Sequence, residues 1–492
     1  AAQEPPQGRR QGRPVTTRRP ITIALVLLSI VGLFVAAREP RGGDGLDLDL
    51  PAASSAAQLD PPGTQDSTWY CVGGTATGGA AAISVVVVNI GEAPRQGAIT
   101  WYTGEGTPVV TDLRIEGFRS AVFPVPAQVA GPYVAAKVEL DGGDVAVEHT
   151  VTGPRGANAA PCASGPSPTW FFANGSTARD ASQVLMVFNP FPADAVIDVT
   201  FATNEGNDAP TPLQGLPVAP RSLKAIDLGE RRRDLTATSV RARTGQVVVE
   251  RLQGFDGSAD RTGLSLAPAA SGPATIWHFP RGAYDAETSE RWHIYNPGDR
   301  EAQVSIEITP DDPALSPEPI DLVIPPGSRT TVDAAEQARV PAGAGYSSQV
   351  RSLNGVPVVA EREVNGRSPS PPRGWSSALG APRAAPRWVF PVGESSDAVH
   401  EGLVVHNPGG SVVRFSVFTL ADGVKSELSA LQDQELKPGA RMSVGLLEVI
   451  RLASLPLIVE ASGPVVVERQ MSSMAGGGSS WVMGVPSPER PG

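Results

Sequence analysis

The sequence predicts an all-β protein, a tandem array of four β-sandwich (Ig-like) modules after one N-terminal transmembrane helix. Three observations predict this fold class. A pattern of about 100 residues occurs four times. Gly and Pro are abundant, with 53 and 48 copies, and short Val-rich runs alternate with turn signals, as in sandwiches. Because such arrays present repeated surface, we expect an extended row of modules that binds a large partner.

Three kinds of anchor residue define the repeated pattern. Each copy begins with a Trp, an Asn follows 19 or 20 positions later, and a Glu-Arg or Glu-His pair comes 79 to 84 residues after the Trp. The anchors are Trp69, Trp170, Trp277 and Trp388; Asn89, Asn189, Asn296 and Asn407; and Glu148-His149, Glu250-Arg251, Glu361-Arg362 and Glu468-Arg469. We interpret them as structural framework, because a structural device recurs wherever its fold recurs.

The anchors divide the chain into four modules, numbered here in chain order. Their predicted ranges are 67–164, 165–271, 272–384 and 385–492. Past each Asn, apolar residues tend to occupy every second position, as at Ile197, Val199 and Phe201 around Asp198. This period of two predicts a half-buried antiparallel strand. A parallel α/β fold is disfavoured, because amphipathic helical runs do not alternate with the strands.

The residues before module 1 fall into three parts. Residues 1–20 are polar and basic and predict a disordered cytoplasmic tail. Residues 21–37 form an uncharged apolar run at the short end of transmembrane length, and residues 38–66 form a linker rich in Pro, Ala and Asp. Five Arg precede the apolar run, so the modules are expected outside the membrane. The alternative is a signal peptide cleaved near Ala37, which also exports the modules.

The charge balance limits the partners of the modules. The formal net charge is -11, although the first twenty residues contribute five Arg against one Glu, so the rest of the chain is strongly acidic. An acidic body argues against nucleic acid and anionic lipid as its partners. We expect the N-terminal helix to hold the cytoplasmic membrane, and the modules to bind an envelope polysaccharide or a membrane protein assembly.

Both cysteines of the chain lie in module 1. Cys71 comes two residues after the first Trp anchor, and Cys162 lies 91 positions further on. The absence of a Cys-x-x-Cys motif argues against a redox pair and a zinc site. In an exported chain, we expect a disulfide that joins the first and last strands of module 1.

The sequence predicts no catalytic, cofactor-binding or metal site. The His residues lack ligand spacing with acidic residues or Cys, and neither a nucleophile elbow nor a phosphate-binding loop is present. The Glu-Arg pairs could serve as acid and base, but we expect the carboxylates to be satisfied by turn amides or by an Arg at the sandwich edge. The Trp anchors are expected in the core or between modules, with carbohydrate stacking as the alternative.

The sequence leaves two rival functions open. A glycan-active hydrolase needs a carboxylate pair that belongs to one module, and Asp285, Glu287 and Glu290 are candidates. A glycan-binding surface could use the tryptophans off the main anchor, which are Trp101, Trp292 and Trp375.

The combined pattern resembles a known family. Module 2 is the best copy, with Thr169-Trp170-Phe171, Asn189-Pro190, Pro220-Arg221-Ser222 and Val248-Val249-Glu250-Arg251. Over residues 67 to about 487, this spacing resembles an uncharacterised family of repeat-bearing actinobacterial envelope proteins, known only as a domain of unknown function. The resemblance implies an exported protein and no activity. We therefore expect a membrane-anchored, non-enzymatic scaffold or binding protein of the cell envelope, in which module 1 departs most from the pattern.

Overall fold

The computed structural model describes residues 56–60, 63–76, 78–229, 234–282, 284–367, 374–421, 423–474 and 478–487. The chain divides into two compact units, Ala1–Asp49 and Leu50–Gly492. The predicted tail, the predicted transmembrane helix and most of the linker lie outside the described residues. Among the residues that are described, no helix has the length and apolar character needed to cross a membrane. All contacts reported below belong to the second unit.

The described chain is all-β, as predicted, and forms 34 strands. The strands of module 1 are β1 (Asp66–Val72), β2 (Ala82–Asn89), β3 (Arg95–Tyr102), β4 (Val109–Ile115), β5 (Arg119–Pro124), β6 (Ala135–Asp141), β7 (Val145–Gly153) and β8 (Gly156–Pro161). Those of module 2 are β9 (Thr169–Phe172), β10 (Ala181–Asn189), β11 (Ala195–Thr203), β12 (Gly206–Asp208), β13 (Leu216–Val218), β14 (Ser222–Asp227), β15 (Thr236–Thr244), β16 (Val248–Asp256) and β17 (Thr262–Pro268).

The later modules repeat this order of strands. Module 3 has β18 (Ile276–Gly282), β19 (Thr288–Tyr295), β20 (Ala302–Pro310), β21 (Ile320–Ile324), β22 (Arg329–Asp333), β23 (Tyr346–Ser352), β24 (Val359–Gly366) and β25 (Gly374–Leu379). Module 4 has β26 (Ala385–Phe390), β27 (Val399–His406), β28 (Val413–Ala421), β29 (Val424–Glu427), β30 (Gln434–Leu436), β31 (Arg441–Gly445), β32 (Leu457–Ser473), β33 (Ser479–Met483) and β34 (Val485–Pro486). Short 3₁₀ turns lie between strands of modules 2, 3 and 4, at Thr211–Leu213, Ala334–Glu336, Ser429–Leu431 and Leu446–Glu448.

Each module arranges its strands in two antiparallel sheets, which gives a sandwich-like architecture. In module 1 the sheets are β1-β6-β3-β4 and β5-β2-β7-β8. In every module the Trp strand lies in one sheet, while the Asn strand and the Glu-Arg strand pair with each other in the second sheet. In module 4 the long strand β32 serves both sheets, because its first half pairs with β26 and β28 and its second half with β27 and β33.

The Asn anchors lie buried at the ends of their strands, where one amide joins two loops. The Nδ2 group of Asn296 donates to the carbonyls of Arg300, Ile324 and Pro325 at 2.7, 3.0 and 3.2 Å. Its Oδ1 accepts from the Gly298 N–H at 3.1 Å. The same four bonds recur at Asn89, Asn189 and Asn407. Asn suits this position because its amide combines two donor hydrogens with an acceptor oxygen.

The four Trp anchors lie in the hydrophobic core, each 0 or 1% exposed. In modules 2 to 4 the indole Nε1–H donates to the carbonyl of Val247, Val358 or Val465 at 2.7 to 2.8 Å, which ties the Trp strand to the residue three positions before the Glu anchor. Full burial leaves no ring face for a sugar, so the alternative of carbohydrate stacking on the anchors is wrong. The period of two past the Asn is also visible, because Ile197 and Val199 are buried while Asp198 binds Arg243 at the surface.

The predicted disulfide is confirmed. Cys71 in β1 and Cys162 directly after β8 are bonded, with a Cα–Cα distance of 4.6 Å and both sulfurs buried. The bond joins the first strand of module 1 to the end of its last strand.

The modules close on themselves within the second unit. Strand β8 of module 1 contacts β17 of module 2, β17 contacts β25 of module 3, β25 contacts β33 of module 4, and β33 contacts β8 again. We call this arrangement the ring, and the interface between modules 4 and 1 the seam. One buried apolar cluster spans modules 1 and 2 and includes Val389 and Val485 of module 4. The prediction of an extended row is therefore wrong, because polar and apolar groups at the module boundaries find their partners in neighbouring modules.

The residues before β1 pack at one end of the ring. The Leu59 N–H donates to the Pro486 carbonyl, and the Ser164 N–H donates to the Ala56 carbonyl, both at 2.9 Å. Ala57 and Leu59 are buried. The first and last described segments thus meet beside the C-terminal ends of the central strands β8 and β33.

Candidate functional site

A buried contact between Glu and Arg or His crosses each of the four module interfaces, and the three Arg–Glu contacts are ion pairs. In each pair, the Arg or His of one module contacts the Glu of the next module. Arg251 Nη2 lies 2.8 Å from Glu361 Oε2, and Arg362 contacts Glu468 in the same way. At the seam, Arg469 Nη1 lies 3.1 Å from Glu148 Oε2, so the cycle is complete.

Each Glu also holds the backbone of the preceding module, just past the Trp strand. Its carboxylate accepts a hydrogen bond from a main-chain N–H there. The bonds run from Val72 to Glu250 at 3.3 Å, from Ala173 to Glu361 at 2.8 Å, from Arg281 to Glu468 at 3.0 Å, and from Val392 to Glu148 at 2.8 Å. The expected turn amides and Arg partners are therefore present, but they belong to the neighbouring module and not to the carboxylate's own.

The guanidinium groups are neutralised and packed on every side. Arg251, Arg362 and Arg469 are 0 or 1% exposed, and each lies over the Phe two residues after its own Trp anchor, 5.0 to 5.4 Å from the ring centroid. A buried charge needs such partners, because an unpaired ion in the interior is very costly. Each Arg contacts its Glu, its Phe and a backbone carbonyl, while its Nε has no hydrogen-bond partner among the described residues. Full burial leaves no room for a substrate at the guanidinium.

Module 1 replaces this arrangement with a different cluster. Cys71 stands where the other modules have the stacked Phe, and His149 stands in place of the Arg. His149 Nε2 lies 3.0 Å from Glu250 Oε2, while its Nδ1 lies 3.2 Å from Cys162 Sγ. Burial raises the pKa of the Glu250 carboxyl, and the contact with His149 acts in the opposite direction. The donor atoms of Cys71, His149 and Cys162 lie within 4.8 Å of one another, but the disulfide uses both sulfurs.

A second cycle of hydrogen bonds joins β8, β17, β25 and β33, the strands that contact one another around the ring. In each case a short polar side chain of one module accepts from the main-chain N–H of the next module. The four bonds run from Leu266 to Asn158 Oδ1 at 3.0 Å, from Ser377 to Ser265 Oγ at 3.4 Å, from Trp481 to Ser376 Oγ at 3.2 Å, and from Ala159 to Ser480 Oγ at 3.1 Å. The seam thus makes the same contacts as the interfaces between modules that follow each other in the chain.

A cavity of about 260 Å³ lies at the seam. We call it the seam cavity. Its lining includes Thr150, Thr152, Ala157 and Ala159 of module 1 and Glu394, Met471, Ser472 and Ser473 of module 4. It lies toward the N-terminal ends of β8 and β33, whereas residues 56–60 pack near the opposite ends.

Several positions of the seam carry smaller side chains than the matching positions of other modules. The pairing of Glu148, Glu250, Glu361 and Glu468 with Pro161, Pro268, Leu379 and Met483 fixes which positions correspond. Ala157 is matched by Leu264, Trp375 and Ser479, and Ala159 by Leu266, Ser377 and Trp481. Trp375 packs on Phe255, with ring centroids 4.7 Å apart, where the seam has Ala157 and Ser473. Module 1 thus has a small residue at both positions, whereas each other module has at least one large side chain.

A buried carboxyl lies directly behind the seam cavity. Glu401 is fully buried, and its Oε2 accepts from the Glu394 N–H at 2.8 Å. Burial raises the pKa of Glu401 to about 8, against the influence of nearby Arg469. In module 3 the matching Glu290 accepts from the Tyr346 hydroxyl at 3.0 Å. Module 4 has Leu455 in place of that Tyr, and Glu401 Oε1 has no hydrogen-bond partner among the described residues.

The rival candidates from the sequence do not assemble into a site. Trp101, Trp292 and Trp375 are 0 or 1% exposed, so the prediction that they form a glycan-binding surface is wrong. Of the three carboxylates proposed for a hydrolase, Glu290 is buried and engaged with Tyr346, while Asp285 and Glu287 lie exposed in a turn. Asp285 accepts the backbone N–H groups of Glu287 and Thr288.

Sequence reasoning missed Glu401, Glu394 and the contact of His149 with Cys162. A signal for Glu401 was present, because the residue six positions before the Asn anchor is Gln183, Glu290 and Glu401 in modules 2 to 4 but Ile83 in module 1. Polar residues at a buried strand position would have marked it. Glu394 stands where modules 1 and 2 have Gly74 and Gly175, so its novelty appears only when the modules are aligned.

Comparisons with known proteins give a family but no function. A family model described as "Family of unknown function (DUF5719)" matches residues 135–275 and 257–482. No curated protein matches the chain. The crystal structure of Thermotoga maritima 1070 is 22% identical, covering 22% of this chain and 93% of that chain with a TM-score of 0.20. The crystal structure of a tetra-tandem repeat in the extending region of a large adhesion protein is 12% identical, covering 85% and 95% with a TM-score of 0.09. At these scores, neither structure carries an argument about this chain.

Proposed function

Since the chain belongs to the family of unknown function DUF5719, we propose its function from the geometry of the ring. It is a non-enzymatic envelope protein of an actinobacterium, anchored in the cytoplasmic membrane by residues 21–37, that holds an envelope polysaccharide outside the membrane. The linker 38–66 spaces the ring from the bilayer.

The observation that carries this proposal is the closure of the ring by Glu148 and Arg469. Buried contacts between Glu and Arg or His, together with main-chain hydrogen bonds, link the modules at all four interfaces. A closed, cross-linked body presents a more fixed surface than an open chain of modules, and preorganisation lowers the entropic cost of binding. The groups that could have been acid and base are buried in these contacts, which favours binding over turnover.

The test uses the full chain, purified in detergent and immobilised by a C-terminal tag. We expect it to retain isolated cell-wall polysaccharide and to leave the length of the polysaccharide unchanged. A Glu148→Arg variant sets two guanidinium groups against each other at the seam, and we expect its retention to fall. A surface change, Asp397→Asn, is the matched control because Asp397 is 85% exposed.

Three outcomes would contradict the proposal. One is the absence of retained polysaccharide, and another is retention of a membrane protein assembly alone. The third is glycan cleavage that Glu394→Gln abolishes, which would favour the hydrolase.

A further inference from the structure

We propose that the seam cavity binds one uncharged sugar residue of the polysaccharide. The inference rests on the proposed function and adds the ligand class and the site. It starts from the residues that line the seam cavity on the side of module 1, Ala157 and Ala159, where module 2 has Leu264 and Leu266 and modules 3 and 4 each have one tryptophan, Trp375 or Trp481.

The lining has the chemistry of a polyol site. Thr150, Thr152 and Ser473 bring hydroxyl groups, and Glu394 brings a carboxylate that accepts hydrogen bonds from ligand hydroxyls. Within the described residues, no hydrogen bond is made by the Thr150 or Thr152 hydroxyl. Met471 provides an apolar face for the C–H surface of a ring. Sugars combine such faces with a rim of hydroxyls.

The charges around the cavity disfavour anions. Among the described residues, no Lys or Arg lines the cavity, and Glu394 is its charged side chain. Arg469 is fully buried and paired with Glu148. A phosphate, sulfate or uronate would therefore meet a carboxylate without a compensating cation, which disfavours its binding. The ligand that fits carries no negative charge, and the hydroxyl groups of the lining suit a neutral polyol.

The size of the cavity limits the ligand to one ring. Pockets for drug-sized molecules measure about 300 to 1,000 Å³, and the seam cavity is smaller, at about 260 Å³. It is open to solvent, because Thr152 and Ala157 are exposed. One residue of a chain can enter while its neighbours remain outside.

Glu401 positions the loop that carries Glu394. Its Oε2 accepts a hydrogen bond from the Glu394 N–H. A Cβ atom at Gly393 would clash with the Leu455 carbonyl oxygen and lie 3.1 Å from Glu401 Oε1, so glycine lets the loop pass close to both groups. The Glu401 contact fixes the main chain of Glu394, whose carboxylate also accepts from the Ser396 hydroxyl at 2.6 Å, and Glu401 acts as a positioning residue.

The experiment is ligand-observed saturation-transfer NMR on the full chain in detergent, with glucose, galactose, mannose and arabinose as probes. Glucuronate and glucosamine are the charged comparators. We expect transfer to at least one neutral sugar and none to glucuronate. Ala157→Trp copies the residue of module 3 into the cavity, and we expect it to weaken binding roughly tenfold or more. Val110→Trp, on an exposed strand, is the matched control and should bind as the wild type does.

A second variant guards against misfolding of the first. Thr150→Val with Thr152→Val removes two hydroxyls at nearly constant volume, and should weaken neutral-sugar binding while the melting temperature stays within the range of the control. Transfer to none of the neutral sugars overturns the proposal. Preferential transfer to glucuronate or glucosamine overturns the ligand class, and unchanged binding by Ala157→Trp overturns the site.

Failure here is distinguishable from failure of the proposed function. If immobilised wild type retains polysaccharide and Ala157→Trp retains it equally, the ring holds the polymer elsewhere and the cavity assignment is wrong. If wild type retains no polysaccharide at all, the proposed function is wrong, whatever the NMR result for single sugars.

Discussion

Arg469 and Glu148 form a buried ion pair although 321 residues separate them in the sequence. Two contacts join them, Nη1 to Oε2 at 3.1 Å and Nη2 to Oε1 at 3.3 Å, and neither side chain is exposed to solvent. The pair matches Arg251 and Glu361, which lie in modules that follow each other directly. The last module is thus bonded to the first as the inner modules are bonded to one another.

The first prediction tests closure through Glu148→Gln. Loss of the carboxylate leaves Arg469 buried without its counterion, and removal of one partner from a buried pair typically costs about 3 to 5 kcal/mol. We expect Glu148→Gln to lower the denaturation midpoint of the full chain about as much as Glu361→Gln does. Urea denaturation followed by tryptophan fluorescence measures both.

Asp397→Asn provides the comparison for that experiment. Asp397 pairs with Arg451 at the surface, where a salt bridge contributes about 0 to 1 kcal/mol. If the chain were an open array, Glu148 would lie at a free end, and Glu148→Gln would resemble the surface control. That result would contradict the ring.

The modules were predictable and the ring was not, for a physical reason. The repeated Trp and Asn anchors act within one module, so their spacing along the chain reports their role directly. Glu361 and Arg362 are neighbours in sequence but point to opposite faces of a strand, and their partners lie in modules 2 and 4, respectively. A sequence period records that a contact recurs; it does not record whether the partner is in the same copy or the next.

The same limit applies to the seam cavity. Ala157 and Ala159 are unremarkable residues when read alone. Their meaning depends on Trp375 and Trp481 at matching positions of the other modules, and that correspondence rests on strand register. The disulfide was predictable because export and two cysteines are sufficient premises, whereas the position of His149 beside Cys162 required the fold.

The second prediction concerns the cluster of Cys71, His149 and Cys162. Reduction of the disulfide should destabilise module 1 by about 4 to 5 kcal/mol in the chain-entropy model for so long a loop. A triple variant, Cys71→Phe with His149→Arg and Cys162→Gly, copies the residues of modules 3 and 4 at these positions. We expect it to melt above the reduced wild type and to show no response to dithiothreitol. Differential scanning calorimetry with and without reductant measures both effects.

The glycine in that variant has a steric reason. A Cβ atom at Gly380 or Gly484 would lie 2.7 Å from the ring of Phe279 or Phe390, so a Phe at the first position favours Gly at the second. Cys71→Ala with Cys162→Ala is the control that removes the bond without the substitute packing. If this control were as stable as the triple variant, Phe at position 71 and Arg at position 149 would not replace the disulfide in stabilising module 1.

The last prediction is a pH dependence that arises from Glu401. Burial raises the pKa of the Glu401 carboxyl to about 8 in the folded chain, from an ordinary value of 4.5. Between these values the folded state binds more protons than the unfolded state, so the contribution of Glu401 to stability is present at low pH and is lost as the pH rises toward 8. The slope is at most about 1.4 kcal/mol per pH unit for one group.

Two histidines titrate outside the window in which Glu401 is tested. Burial lowers the pKa of His278 to about 3 and of His406 to about 4, which gives the opposite slope below pH 6.5. The window from pH 6.5 to 8 therefore isolates the carboxyl from both histidines.

We expect Glu401→Gln, which installs the residue that module 2 has at this position, to be more stable than wild type at pH 8 and to show a flatter dependence of the urea midpoint on pH across this window. Asp397→Asn, at an exposed position of the same loop, should keep the slope of the wild type. Parallel curves for wild type and Glu401→Gln would mean that Glu401 is ionised in the folded chain throughout, and that the loop at Glu394 is held by a charged group.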